Sequence, residues 1–248
     1  MGNSIKRLYQ EPDEVWLSDE LKTILTNAPE NGVFIDAGCH VGVWNKYLNK
    51  IMPKKFISIG IDPIDHNVGT YDHFFNYSID VIEGIRDLHI FKESACNSLF
   101  KSSKEIDDLS LSWMEEIGTI KTETRTLESL LKKSNIDEIY FLKCDCQGND
   151  VNVVKSLKSY INKVQYIQIE SNLDKKLSSY NCGGSFEEDI IEIEKLGFKA
   201  MYYVIWELDG LPAIECDILF RKNKLPRSRA DEVLKQSSIR SKLRGTNP

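Results

Sequence analysis

The chain has 248 residues, 41% hydrophobic and 28% charged, which suits one soluble α/β domain, and no internal repeat is visible. No apolar run approaches the ~18 residues needed to span a bilayer, which excludes a helical membrane protein and predicts no membrane partner. Net charge is −6, but from Arg221 onward nine Lys and Arg stand against Asp231 and Glu232, a local +7 that leaves −13 on the remainder.

Six cysteines (Cys39, Cys96, Cys144, Cys146, Cys182 and Cys216) are scattered without secreted-type spacing, and no basic-then-apolar leader precedes them. The expected setting is reducing and cytoplasmic. The start Met1-Gly2 has Lys6 where a myristoylation signal has Ser or Thr, so lipidation is not expected.

Residues 1–17 are polar apart from Trp16 and Leu17. Ser18-Asp-Glu marks a helix start, with Leu21, Ile24 and Leu25 as its apolar stripe, before an Asn31-Gly32 turn. This helix is expected to lead into the first strand and to cover the ligand site. Val33-Phe-Ile35 is that strand, running through Asp36 into a turn with Gly38 and Gly42 and then a helix carrying Val43, Tyr47, Leu48 and Ile51. A strand that opens through glycines into a helix holds a polar small molecule against backbone. Phe56–Pro63 is a second strand ending in Asp62, 26 residues after Asp36, where nucleotide-binding α/β folds place an acid on ribose hydroxyls.

Phe74–Ile82 reads as a strand, followed by Gly84 and a short strand at Leu88–Phe91. Residues 101–118 are charged and poorly patterned, as in a surface insertion or lid, and Thr122–Leu131 passes from alternating polarity into a helix. Ile139–Gly148 is a strand that carries charge where a central parallel strand is ordinarily apolar. Alternation puts Lys143, Asp145 and Gln147 on one face, and buried charge is costly unless paired or used. Cys144 and Cys146 share the other face; two thiols without further ligands read as packing, and no metal is expected. Lys155-Ser-Leu-Lys158 belongs to the next helix, and Val164–Glu170 is a further strand. Phe186–Leu196 is an amphipathic helix stopped by Gly197, and Phe198–Trp206 and Glu215–Phe220 form a closing hairpin. The basic terminus reads as a solvated helix with Val233, Leu234, Ile239 and Leu243 along one side.

The pattern predicts a doubly wound α/β fold with a mostly parallel, seven-stranded, Rossmann-like sheet and an antiparallel C-terminal hairpin. It divides into a helical lead-in (1–30), the main domain (31–222) and a basic tail (223–248). Asp36, Asp62, Asp145 and Glu170 recur at C-terminal strand ends, where ligands bind in such sheets.

Asp36-Ala-Gly-Cys-His-Val-Gly42 resembles the first motif of class I S-adenosylmethionine-dependent methyltransferases, and the ordered set resembles the FkbM family. That set comprises Asp36–Gly42, Asp62-Pro63, Ser98-Leu99, Thr126–Leu131, Lys143-Cys-Asp-Cys-Gln-Gly-Asn-Asp150 and Asp217-Ile-Leu-Phe220, covering about residues 30–222. Against the family pattern, Cys39-His40 replaces Ala-Asn, Glu128 replaces Asp, and Gln147 and Asp150 replace two Glu. Gln147 cannot serve as a carboxylate base.

The resemblance implies S-adenosylmethionine as cofactor and O-methylation of a small-molecule or glycan hydroxyl. It implies that Asp36, Gly38, Cys39, His40 and Gly42 hold the cofactor's amino-acid end, Asp62 its ribose, and Ser78, Ile79 and Asp80 its adenine. Asp145 would be the general base, oriented by Lys143, with Glu170 in reserve. Gln147, Asp150 and Asn172 would face the acceptor. Three other readings compete: a nucleic-acid methyltransferase using the basic tail, a nicotinamide-dependent oxidoreductase, and a non-catalytic module that has kept the cofactor fold. Oligomeric state has no signature in the sequence.

Overall fold

The computed structural model describes residues 18–66, 69–104, 111–173, 178–182, 184–206 and 215–223. The N-terminal 17 residues and the basic tail, with its expected helix, lie outside them, as do residues 105–110 of the expected lid.

Helix α1 (Asp19–Thr26) begins where the Ser18 hydroxyl accepts the Leu21 amide at 3.1 Å. Strand β1 (Gly32–Ala37) is buried along its whole length, as a central parallel strand must be. It is flanked by β2 (Phe56–Ile61), reached through α2 (Val43–Ile51), and by β7 (Ile139–Cys144). The remaining strands of this sheet are β3 (His73–Phe75), β8 (Val164–Asn172), β9 (Phe198–Trp206) and β10 (Glu215–Lys222). Their order is β3-β2-β1-β7-β8-β10-β9, with the first five parallel and β10 antiparallel to both neighbours. This is the predicted doubly wound sheet with its closing hairpin. The order reverses between β1 and β7, and ligands sit beyond the strand ends at such a point.

Helices cover both faces. Helices α3 (Leu127–Ser134), α4 (Asp150–Lys155) and α5 (Phe186–Lys195) pack Leu130, Val153, Val154 and Ile193 against Ile35, Leu142, Ile167 and Ile218. On the other face, α1 and α2 pack Leu21, Ile24, Leu25 and Leu48 against Phe34, Phe141 and Tyr166. The Tyr140 hydroxyl donates to Ile24 O at 2.7 Å, and Lys54 donates to Ala28 O at 3.0 Å, tying α1 to the starts of the strands. The helix therefore lies on the sheet face and does not cover the C-terminal strand ends, because its apolar stripe has a larger partner there.

Three other sequence expectations change. The aromatic run expected as one strand over 74–82 divides into β3 and a two-residue β4 (Ser78–Ile79), since β3 pairs with β2 while β4 pairs with β6 (Glu116–Arg125) in a second sheet. Residues 116–118, expected in a lid, belong to β6, which pairs antiparallel with β5 (Gly84–Phe91). Helix α4 ends at Lys155, where the Ser156 hydroxyl turns back to Val153 O at 2.6 Å, and a 3-10 helix follows over Lys158–Lys163.

Candidate active site

The turn after β1 is fixed by hydrogen bonds to the end of β2: Gly38 N and Cys39 N both donate to Ile61 O, at 2.8 and 3.2 Å. Gly38 is left-handed at φ +78°, and a Cβ there would run into the carbonyl of Asp145, whose own amide donates to Ala37 O at 2.9 Å. The segments leaving the adjacent ends of β1 and β7 thus touch with no room for a side chain. His40 is also left-handed, at φ +44°, and its amide donates to Asp62 Oδ2 at 2.9 Å. Its Nε2 pairs with Ser94 Oγ at 2.9 Å and its ring meets His66 edge-on at 4.5 Å. Burial, with His66 beside it, pushes the His40 imidazole down to about 4, so it is neutral at pH 7. Asp62 also accepts from Ile64 N at 2.9 Å, and burial raises its carboxyl.

Lys143 links this turn to the loop after β7. Its Nζ lies 3.5 Å from Asp36 Oδ1 and 3.0 Å from Asp145 Oδ2. Asp36 is 2% exposed; its Oδ2 accepts from the Tyr71 hydroxyl at 2.6 Å, while Oδ1 has no hydrogen bond. Burial raises the Asp36 carboxyl against the opposing pull of Lys143, and the two carboxylates hold the lysine's own proton well above the ordinary range despite burial.

Strand β7 ends at Cys144, so the alternation expected to carry Gln147 onto the Lys143 face stops short. Gln147 reaches the same group by a turn, with Gln147 and Gly148 left-handed at φ +51° and +89°. Its Nε2 donates to Asp145 Oδ1 at 2.8 Å and, more weakly, to Glu170 Oε2 at 3.4 Å. The Tyr180 hydroxyl donates to Gln147 Oε1 at 2.6 Å, and Ser98 Oγ donates to Gln147 O at 2.7 Å. Beyond it, Asp150 Oδ1 accepts from Cys146 N at 3.3 Å and Glu170 N at 3.4 Å, and burial pushes its carboxyl up to about 8. Burial also raises Glu170, with Glu215, Asp145, Asp150 and Asp217 adding repulsion. Asn172 Oδ1 accepts from Ser179 N at 3.3 Å.

The turn of Gly38, Cys39, His40 and Gly42 is therefore brought together with Asp36, Asp62, Lys143 and Asp145, and Gln147, Asp150, Glu170 and Asn172 continue the group outward. Ser78, Ile79 and Asp80 lie in and just after β4, in the second sheet. Ser78 Oγ bonds Thr122 Oγ1 at 3.1 Å, Asp80 is paired with Arg86, and Ile79 O accepts from Asn149 at 2.7 Å. Sequence reasoning missed Tyr71, Ser94 and Tyr180, whose surroundings carry no periodic or motif signal.

The arrangement offers two buried acidic acceptors, Asp36 and Asp62, suited to ammonium or hydroxyl donors, beside a half-buried Asp145 gripped from both sides. Among the described residues, no group of three or more His, Cys, Asp or Glu is disposed to hold a metal ion, and no helix is long and apolar enough to cross a membrane.

No curated protein matches this chain. Solved structures that resemble it include TrmK of M. capricolum in complex with S-adenosyl-homocysteine, at 15% identity over 90% of this chain and 76% of that one, TM-score 0.44. Another is LepI in complex with SAM, at 11% identity over 90% of this chain but only 53% of that one, TM-score 0.44. A third is Aeropyrum pernix fibrillarin with natively bound S-adenosyl-L-methionine, at 7% identity over 78% and 67%, TM-score 0.42. The methyltransferase FkbM domain profile matches residues 36–200, from the acid that opens the glycine turn into β9, and the chain belongs to that family.

Proposed function

We propose that this protein transfers the methyl group of S-adenosylmethionine to a hydroxyl of a small molecule or glycan. The observation that carries the reading is Lys143, whose ammonium joins Asp36 of the glycine turn to Asp145 of the neighbouring loop. A cofactor site and a proton acceptor are thereby held in one rigid group.

The residues suit the cofactor. Asp36 would face the cofactor's amino-acid end with a buried carboxylate whose Oδ1 already lies 3.5 Å from Lys143 Nζ, and Asp62 offers a carboxylate to ribose hydroxyls. The Gly38–Gly42 turn allows close approach of backbone, and Ser78–Asp80 would border the adenine. When bound, the cofactor supplies a methyl group already activated on sulfonium. Asp145 then accepts the proton of the acceptor hydroxyl, while Lys143 and Gln147 fix its two oxygens. Glu170 is less available as a base, because burial and its acidic neighbours favour its protonated form. All six cysteines are free thiols, in keeping with a reducing, cytoplasmic setting.

The test begins with calorimetric titration of S-adenosylhomocysteine and, separately, NAD; binding of NAD alone would sink the reading. Transfer of labelled methyl groups to a panel of sugars, phenols and RNA follows, with wild type and Asp145→Asn. Loss of a general base predicts a ~10²–10⁴-fold fall in rate for the variant. Cofactor binding without turnover in either protein would make this a binding module instead.

A further inference from the structure

At the C-terminal end of β8, between α4 and α5, lies a cavity of about 550 Å³, within the size range of small-molecule sites. Its wall includes Asp150, Glu170 and Asn172 at the sheet end, and Glu188, Asp189 and Glu192 on α5. The wall holds five acids against two lysines, and both lysines are committed to Glu192: Lys155 Nζ at 2.8 Å and Lys195 Nζ at 2.6 Å. Asp150 is 2% exposed, and its Oδ2 is buried with no hydrogen bond. Asp189 is 8% exposed with Oδ2 accepting from Ser171 Oγ at 2.6 Å, and Glu170 Oε2 accepts from Gln147 Nε2 at the long distance of 3.4 Å.

Buried carboxyls this short of donors are costly unless something brings charge and hydrogen bonds to them. Burial holds Asp150 up to about 8 and Asp189 up to about 6, the response expected of acids awaiting a positive partner. Glu170, in the wall, is joined through Gln147 to Asp145, so the side chains of Glu170 and Gln147 connect an occupant to the proposed base.

From this wall we infer that the cavity is an acceptor subsite for a positively charged nitrogen, a primary ammonium or guanidinium, and that the methyl acceptor is an amine-bearing small molecule. The inference rests on the methyl-transfer reading for the word acceptor, and on the cavity alone for its charge preference.

Calorimetry on the full chain tests it, titrating glucosamine against glucose and agmatine against 1-butanol, each with and without saturating S-adenosylhomocysteine. Each amine should bind at least ~10-fold more tightly than its neutral counterpart, the range of a charge-assisted hydrogen bond. Asp150→Asn keeps an oxygen for the amides of Cys146 and Glu170 and should reduce that preference about 10-fold. If that variant does not fold, the wild-type comparison still decides. Equal binding of amine and neutral probe, tighter binding of MgCl2 than of either amine, or an unchanged preference in Asp150→Asn would overturn the inference. Failure of S-adenosylhomocysteine to bind would remove the methyl-transfer reading, and the acceptor role with it. Failure of the amine preference with S-adenosylhomocysteine bound overturns the cavity's assignment alone.

Discussion

Replacing Lys143 by methionine removes the one side chain that faces both Asp36 and Asp145 while keeping most of its apolar length. At 3.5 and 3.0 Å, each attraction is on the order of 5 kcal/mol at an effective dielectric constant near 20. Most of this is offset by the cost of burying the charges, and Asp145, 35% exposed, is partly screened by water. What remains is Asp36, 2% exposed and left without its cation, so the net loss should be about 3 kcal/mol at pH 7, within the usual range for a broken buried pair. In a chain of this length that lowers Tm by roughly 6–12 °C.

The pH dependence follows from the same carboxylate. Asp36 already has a raised folded-state pKa, and removing Lys143 raises it further. A carboxyl whose folded pKa exceeds its unfolded one binds more protons when folded, so stability falls as pH rises between the two values. The deficit of Lys143→Met relative to wild type should therefore shrink as pH falls from 7 to 5. Urea unfolding at both pH values measures it. A deficit below 1 kcal/mol at pH 7, or one identical at pH 5, would refute the view that Lys143 compensates a buried charge.

Two further substitutions probe the contact between the ends of β1 and β7 and the hub beyond it. Gly38→Ala places a Cβ against the Asp145 carbonyl at φ +78°, and should cost at least ~3 kcal/mol and abolish S-adenosylhomocysteine binding; a well-folded variant that binds normally would show that the two strand ends can separate. Gln147→Glu sets a third carboxylate at hydrogen-bond distance from Asp145 and near Glu170, and should cost ~2 kcal/mol above pH 7 with recovery towards pH 5, read by thermal melting across that range.

The strands of the main sheet were legible because central parallel strands read as continuous apolar runs and the hairpin reads as two more. Phe198–Trp206 has the expected bounds, and the ends of β1, β2 and β8 lie within two residues of theirs. The second sheet was less legible for a physical reason. Glu116–Ile120 is exposed and interrupted by Gly118, and becomes strand only by pairing with β5, a contact that local pattern does not encode. The division of 74–82 between two sheets is likewise decided by partners far away in sequence. In the site, acids at strand ends pointed to Asp36, Asp62, Asp145 and Glu170, and charge within a buried strand pointed to Lys143. Tyr71 and Tyr180 act through single hydroxyls from irregular segments, and nothing in their spacing singles them out.

Gln147, the departure that most threatened an enzymatic reading, takes on a different meaning beside its neighbours. Asp145, Asp150, Glu170 and Glu215 converge at the ends of β7, β8 and β10, and burial raises the carboxyls of Asp150, Glu170 and Glu215. A glutamate at 147 would add another carboxylate whose ionisation its neighbours oppose, so either it or a neighbour would hold a proton. The amide instead donates to Asp145 and Glu170 while accepting from Tyr180, supplying donors without altering the charge. It thereby fixes the orientation of Asp145 beside the glycine turn without adding a charge. If Gln147→Glu lost stability yet methylated faster, the amide would be a structural compromise at catalytic expense. If it lost both, the amide is part of what holds the base.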